Sequence, residues 1–210
     1  MVEKVGGVYT THDLVKLNMV PSGWEAKVIE IARSDGRESV LDGKSSTSRE
    51  PPNTNPVRLK VVTGEVISTK LPWLHQLYRG QLLTWASEYA GRKMAVARDI
   101  VSGVNINCLE GRQSRYERHV DSNPVTGLLF ASTLRPGDGG ELVFERDGGA
   151  GDLIVNPVAG TFLLFDARHV THYVKPLEKA PSRLSVPMNY YFEGDAQARP
   201  TDLDGYLYKA

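Results

Sequence analysis

The sequence predicts a mainly β protein of the α+β class, in which early helices pack against a later β-sandwich or jelly roll. From residue 94 onward, short runs of β-branched, aromatic and other apolar residues follow one another, as in TFLLFD and RLSVPMNYYF. Glycine and proline separate these runs at short intervals, as in RPGDGGE and RDGGAGD. Before residue 94, stretches of helical three- and four-residue spacing are more prominent. Many short strands with such turns are typical of a sandwich or jelly roll.

The length and composition indicate one domain. The chain has 210 residues, of which 40% are hydrophobic and 24% are charged, and this is enough for a sizeable core. Within the domain we expect helices and loops over residues 1–93 to support a jelly-roll core over residues 94–200.

The first predicted elements are a helix and a long loop. Residues 11–33 combine helical spacing with a Pro-Ser-Gly break, so Ser22 is expected to cap a helix from Trp24 to about Arg33. Residues 34–57 are rich in Ser, Gly, Pro, Asp and Asn, which predicts a mobile loop. A loop of this length is a candidate lid over a site.

A strand and a second helix are predicted next. The run VRLKVVTGEVIST, residues 57–69, is a strand candidate. Residues 71–89 carry apolar side chains at helical spacing, and Gly91 is expected to end that helix. The apolar positions of this helix are Leu71, Leu74, Tyr78, Leu82, Trp85 and Tyr89.

Charge and cysteine content exclude several classes of protein. The 25 basic residues equal the 25 acidic ones in number, which gives no electrostatic basis for binding nucleic acid or an anionic membrane. Cys108 is the only cysteine, so neither an intrachain disulfide nor a thiolate metal cluster can form. We find no secretion signal and no run of eighteen apolar residues, so a reducing, cytoplasmic location is expected.

His119 and Asp121 form a candidate metal-binding pair. On an extended strand these two side chains point the same way, with Val120 on the opposite face. A non-haem iron(II) oxygenase uses two imidazoles and one carboxylate on one face of the metal and leaves the other positions open. The third ligand has two candidates, His169 and His172, which would face opposite sides of a regular strand.

A cosubstrate with a distal carboxylate needs a cationic partner. Arginine suits this role because its planar group matches a carboxylate with two hydrogen bonds and keeps its charge. Arg183 opens the last strong strand, and Ser185 shares its face and can donate a second hydrogen bond.

The segment from Asn105 to Pro200 resembles the Fe(II)- and 2-oxoglutarate-dependent dioxygenases, in particular the prolyl 4-hydroxylase and hypoxia-sensing prolyl hydroxylase branch. The resemblance rests on four linked motifs in the family's order. They are YERHVDSNP, GGELVFE, PVAGTFLLFDARHVTHYVKP and RLSVPMNYYFEGDAQARP.

The resemblance implies a double-stranded β-helix and a site. In it, His119, Asp121 and the distal histidine bind Fe(II), and Arg183 binds 2-oxoglutarate. The distal ligand in the family precedes a short apolar run that ends in proline, which HYVKP reproduces, so His172 is the preferred third ligand. An aspartate at position 121 argues against the related halogenases, in which this carboxylate is missing.

The chain departs from the branch at two tyrosine positions that usually contact the cosubstrate. They correspond to Leu109 and Phe130 here. Asn105 and Asn107, which share the face of Leu109, are therefore candidate cosubstrate contacts.

The resemblance implies an oxygenase that hydroxylates an aliphatic carbon with O2 and releases succinate and CO2, with ascorbate as an optional reductant. The substrate is expected to be an amino acid or similar small molecule, or a prolyl residue in a peptide. The alternative from another class is a metal-binding β-sandwich that binds a ligand without turnover. Nucleic-acid demethylation is disfavoured because the chain has no net charge.

Overall fold

The computed structural model describes residues 3–41, 45–51, 56–146, 151–200, 202, 204, 207 and 208. Two antiparallel β-sheets face each other, and helices cover the outer face of the larger sheet. The helices are α1 Trp24–Asp35, α2 Gly64–Lys70, α3 Pro72–Arg79, α4 Gln81–Ala90 and α5 Ile100–Gly103. The strands are β1 Tyr9–Asp13, β2 Arg37–Leu41, β3 Val57–Val62, β4 Met94–Val96, β5 Ile106–Glu110, β6 Tyr116–His119, β7 Val125–Phe130, β8 Leu142–Phe144, β9 Leu153–Val155, β10 Thr161–Asp166, β11 His172–Val174 and β12 Ser182–Phe192.

The chain winds between the two sheets in its second half. The larger sheet has the strand order β1-β10-β7-β12-β5-β3-β2, with β4 also paired to β12, and the smaller has the order β6-β11-β8-β9. From β5 onward the path therefore passes repeatedly from one sheet to the other. This winding, with antiparallel pairing throughout, confirms the predicted jelly roll.

Two apolar layers hold the fold together. One lies between the sheets and includes Phe130, Phe144 and Phe165, and the other lies between the larger sheet and the helices and includes Leu129 and Phe162. Strands of the larger sheet are therefore covered on both faces. This explains why all six residues of β7 are buried and why its sequence shows no polar alternation.

The early helices differ in detail from the prediction. Helix α1 starts at Trp24 as expected and ends at Asp35, but Ser22 does not cap it. Gly23 occupies the cap position with φ of 73°, a left-handed conformation that favours glycine, and no side chain caps the helix. The predicted Ser22 cap is therefore wrong.

The helix predicted over residues 71–89 is two helices, α3 and α4, separated by Gly80. The Gly80 amide closes α3 by donating to the carbonyls of Gln76 and Leu77. Gly91 ends α4 with φ of 61°, which confirms the predicted stop. The apolar spacing continues across Gly80, so the pattern alone did not reveal the break.

The strand predicted over residues 57–69 is correct only as far as Val62. Helix α2 follows. Its first residue, Gly64, lies so close to the backbone carbonyl of Ile100 that a Cβ atom would clash with it. The β runs predicted after residue 94 are confirmed as β5 and β7–β12, whereas β1, β2 and β4 were not predicted.

The predicted loop over residues 34–57 contains a strand. Strand β2 pairs with β3 along its whole length, so this part of the loop prediction is wrong. Residues 45–51 lie beside β6, where Ser48 forms a β-bridge with His119. Residues 42–44 and 52–55 lie outside the described residues, and a lid role for this segment stays a prediction.

None of the described helices is both long enough and apolar enough to cross a membrane.

Gly127 in β7 is expected to tolerate no side chain. A Cβ atom there would lie 2.6 Å from Phe162 Cζ and 3.2 Å from Tyr190 Cε2, and both rings are fully buried. We expect Gly127→Ala to lower the free energy of unfolding by about 1–3 kcal/mol, measured by urea denaturation. Ile154→Ala, at an exposed strand position, serves as the control with little change. An unchanged Gly127→Ala midpoint would contradict this packing argument.

Candidate metal centre and cosubstrate pocket

His119, Asp121 and His172 converge on one point between the sheets. His119 ends β6 and His172 begins β11, and the two residues are direct partners in the antiparallel pair. Asp121 Oδ1 lies 3.4 Å from His119 Nε2 and 3.8 Å from His172 Nε2. One ligand atom from each residue lies within 4.8 Å of the other two, a spacing that suits a single metal ion.

The backbone orients both imidazoles. His119 Nδ1 lies 2.8 Å from the carbonyl oxygen of Glu117, and His172 Nδ1 lies 3.0 Å from that of Val170. Each Nδ1–H can donate to its carbonyl, which leaves the lone pair on Nε2, the nitrogen that faces Asp121. Such outer hydrogen bonds set the tautomer and direction of metal-binding histidines.

Asp121 is held by a short polar chain. Thr126 Oγ1 donates to Asp121 Oδ2, and Asn123 Nδ2 donates to Thr126 Oγ1 at 2.8 Å. These bonds occupy Oδ2 and leave Oδ1 directed at the two imidazoles. The carboxylate is thus oriented before any ion binds.

The pKa values of Asp121 and His172 suit metal ligands. Burial would raise the pKa of Asp121, but the charge of His172 and the hydrogen bond from His119 outweigh it and lower that pKa to about 2. Burial and the neighbouring His119 lower the pKa of His172 to about 4. Burial also acts to lower the pKa of His119, yet the hydrogen bond and charge of Asp121 raise it overall. An ionised carboxylate beside a neutral imidazole is ready to bind a cation.

His169, the other candidate third ligand, lies outside this group. Its side chain is 74% exposed, and its Nδ1 lies 2.9 Å from Asp166 Oδ1. It therefore makes a surface pair on the turn before β11. The geometry brings His172, and not His169, to His119 and Asp121.

Arg183 is a buried cation with spare hydrogen-bonding capacity. Only 2% of the residue is exposed, its Nε donates to the Gly140 carbonyl at 2.8 Å, and its Nη1 donates to Ser185 Oγ at 3.0 Å. Its Nη2 finds no hydrogen-bond partner anywhere in the described part of the chain. Burial lowers the pKa of Arg183 to about 10. A buried guanidinium with an unused donor fits a site for an anionic group.

A glycine makes room for this arginine. Gly140 has φ of +78°, and a Cβ atom there would lie 2.7 Å from Leu134 Cδ1, 2.8 Å from Leu177 Cδ2 and 3.2 Å from Arg183 Cδ. Any side chain at this position would press on the arginine that the Gly140 carbonyl orients.

The two candidate asparagines differ in their surroundings. Asn107 pairs with Ser185 across β5 and β12 and lines the same cavity as Arg183. Asn105 also lines the cavity, but its Nδ2 donates to the Val101 carbonyl at 2.8 Å and its Oδ1 accepts from Tyr208 at 2.8 Å. Asn107 is therefore placed more favourably for a cosubstrate than Asn105.

The cavity around these groups has a volume of about 110 Å³. Several residues that line this cavity were not predicted from the sequence. Some come from segments without a strand or helix pattern, and others were assigned to the core. They include Thr47, Tyr116, Glu117, Arg199, Leu207 and Tyr208.

Two of these residues, Glu117 and Arg199, have ionisable side chains. Glu117 is only 3% exposed, Ser48 Oγ donates to its Oε2 at 3.1 Å, and burial raises the pKa of Glu117. Arg199 is neutralised by Asp204, to whose Oδ1 its Nε and Nη2 donate at 3.0 and 2.8 Å. Both lie in the cavity beside the histidines.

Comparisons with known proteins find one family model that covers the candidate site. Residues 104–191 match the family model described as the 2OG-Fe(II) oxygenase superfamily. The matched segment contains His119, Asp121, His172 and Arg183. No curated protein matches the sequence.

Solved structures share the fold. A prolyl hydroxylase from Trichoplax adhaerens, in complex with a hypoxia inducible factor peptide, has a TM-score of 0.65 and 18% identity, over 89% of this chain and 84% of that one. A 2OG-Fe(II) oxygenase family oxidoreductase from Burkholderia pseudomallei has a TM-score of 0.63 and 14% identity, over 91% and 89%. A prolyl-4-hydroxylase from Pseudomonas putida has a TM-score of 0.53 and 18% identity, over 89% and 93%.

The fold and the site thus define a double-stranded β-helix protein that has a candidate His-Asp-His metal centre and a buried arginine in one cavity. Over residues 104–191 the chain matches the 2OG-Fe(II) oxygenase superfamily. This match, the shared fold and the candidate metal centre indicate an oxygenase that uses Fe(II) and 2-oxoglutarate.

Proposed function

We propose that His119, Asp121 and His172 bind the Fe(II) and that Arg183 and Ser185 bind the distal carboxylate of 2-oxoglutarate. The carboxylate assignment rests on Nη2 of Arg183, which has no hydrogen-bond partner among the described residues. A planar guanidinium that Gly140 and Ser185 already fix is ready to bind a carboxylate. Asn107 provides a further amide beside Ser185. Asn105 then acts mainly through Tyr208, which it holds at the cavity.

The bound Fe(II) and 2-oxoglutarate supply the oxidising chemistry, in which O2 is consumed, 2-oxoglutarate becomes succinate and CO2, and a substrate carbon is hydroxylated. The residues of this chain position the reactants and keep out water. Leu109, Leu128, Leu142, Phe165 and Val174 give the cavity an apolar lining around the polar groups.

The substrate we propose is an amino acid or a similar small molecule, hydroxylated at an aliphatic carbon, with a prolyl residue in a peptide as the second candidate. The small cavity and its lining by Leu207 and Tyr208 from the C-terminal segment favour a compact substrate. The peptide bound to the similar Trichoplax prolyl hydroxylase favours the second candidate.

The remaining assignments follow from composition. We propose a single oxygenase domain over residues 1–210 that acts in the cytoplasm. We also propose that neither nucleic acid nor a membrane is a partner, because the basic and acidic residues are equal in number. The family assignment does not favour the alternative of a binding protein without turnover.

Anaerobic reconstitution tests the proposed function. We expect Fe(II) and 2-oxoglutarate together to give a weak visible absorption band that neither gives alone. After air is admitted, with ascorbate present to keep the iron reduced, we expect succinate to form. A band without succinate, in the presence of a panel of free amino acids, would instead support the binding protein.

A further inference from the structure

Glu117 places a second carboxylate in the cavity that the iron and cosubstrate do not require. It lies two residues before His119 in β6, it is almost fully buried, and its side chain lines the same cavity. Among the described residues one side chain, Ser48, donates a hydrogen bond to it. The nearby Arg115 is already engaged, because its Nη1 and Nη2 donate to the two oxygens of Glu50 at 2.6 and 2.7 Å.

The charges of the loaded site would balance except at this residue. Two positive charges of Fe(II) and one of Arg183 would offset Asp121 and the two carboxylates of 2-oxoglutarate. Arg199 is offset by Asp204. The acid group of Glu117 is left over. It lines the cavity with one side-chain donor, Ser48, among the described residues, and a cation bound there would stabilise its charged form. A positive charge on the substrate would supply what the protein lacks.

The location of Glu117 limits the size of this substrate. Residues two apart on a strand are separated by about 7 Å. A cation bound by Glu117 therefore lies only a few bond lengths from a metal bound by His119. The rings of Tyr116 and Tyr208 line the same cavity, and aromatic faces attract ammonium groups. A compact amine satisfies both conditions.

We propose that Glu117 binds the protonated amine of the substrate, so that the enzyme acts on a free amino acid. An internal prolyl residue of a peptide has an acylated, neutral nitrogen and would leave Glu117 without a counterion. This inference rests on the proposed function and decides between its two substrate candidates.

The test is a set of anaerobic calorimetric titrations of the full chain loaded with Mn(II) and 2-oxoglutarate. The probes are the common L-amino acids, including L-proline, and their N-acetyl derivatives. We expect at least one free amino acid to bind at least about ten-fold more tightly than its N-acetyl form. Glu117→Gln, which keeps the shape and the acceptor for Ser48, is expected to lose that binding by at least about ten-fold, and Glu117→Asp to keep part of it.

Glu145→Gln is the matched control. It also removes one negative charge near β6, but Glu145 pairs with Arg118 outside the cavity, so amine binding should stay as in the parent. Three results would each overturn the inference. They are equal binding of free and acetylated forms, no binding of any free amino acid, and parental binding by Glu117→Gln. If the parent fails to bind 2-oxoglutarate, the cofactor assignment is wrong as well. If the parent binds 2-oxoglutarate normally and one of the three results above is found, only the inference on Glu117 is wrong.

Discussion

Replacing His172 with alanine is expected to abolish the visible band of the Fe(II)–2-oxoglutarate complex and to weaken metal binding by more than about 100-fold. Removing an outer hydrogen bond to a metal ligand already costs about 10- to 100-fold, and His172 is itself one of the three side chains that meet at the candidate centre. The measurement is an anaerobic Fe(II) titration followed by visible absorption.

His169→Ala provides the matched control. It removes the same side chain three residues away, but His169 is exposed and pairs with Asp166, so the band and the metal affinity should stay at the parental level. The reverse outcome, loss of the band in His169→Ala and its retention in His172→Ala, would overturn the assignment of the third ligand.

Replacing Arg183 with methionine is expected to weaken 2-oxoglutarate binding by about 30- to 5,000-fold, because truncation of one partner of a buried charge pair costs about 2–5 kcal/mol. Metal binding without 2-oxoglutarate should change little, since Arg183 is not in the candidate ligand group. Both quantities can be measured by calorimetry. Arg183→Lys should recover part of the affinity, because lysine keeps the charge and loses the planar geometry.

Arg92→Met controls for loss of an arginine. Arg92 is a surface residue that pairs with Asp195, so 2-oxoglutarate affinity should not change. The apo Arg183→Met variant should also be no less heat-stable than the parent, because the arginine is buried with Nη2 unpartnered among the described residues. Parental affinity for 2-oxoglutarate in Arg183→Met would place the carboxylate site elsewhere.

Local patterns in the sequence were sufficient where a local physical rule controls the outcome. Alternation on a strand puts His119 with Asp121 and Arg183 with Ser185 on shared faces, and the structure places all four around one cavity. Gly91 ends a helix because it adopts a left-handed conformation at little cost. The class of fold and the cofactors were likewise predicted correctly.

Patterns failed where a distant partner controls the outcome. Strands β1 and β2 were not predicted because their pairing with β10 and β3 stabilises short, partly polar segments. The strand predicted through residue 69 ends at Val62, and α2 begins at Gly64, which packs on the backbone of Ile100, a contact that the local sequence does not reveal. The sequence also gave no sign of the hydrogen bonds that join the Asn105 side chain to Val101 and Tyr208, and a cosubstrate contact of Asn105 stays a prediction.

The sequence by itself determined the candidate pair His119 and Asp121, the candidate arginine and most of the later β-strands, since each depends on residue type and on spacing within one segment. Strand alternation left His169 and His172 open, and the family resemblance favoured His172; the tertiary structure brings His172 to His119 and Asp121 and shows which residues, Glu117 among them, complete the cavity. The physical reason is that pairing of β6 with β11 sets the distance between side chains more than fifty positions apart in the chain. Spacing along the chain carries no information on that distance.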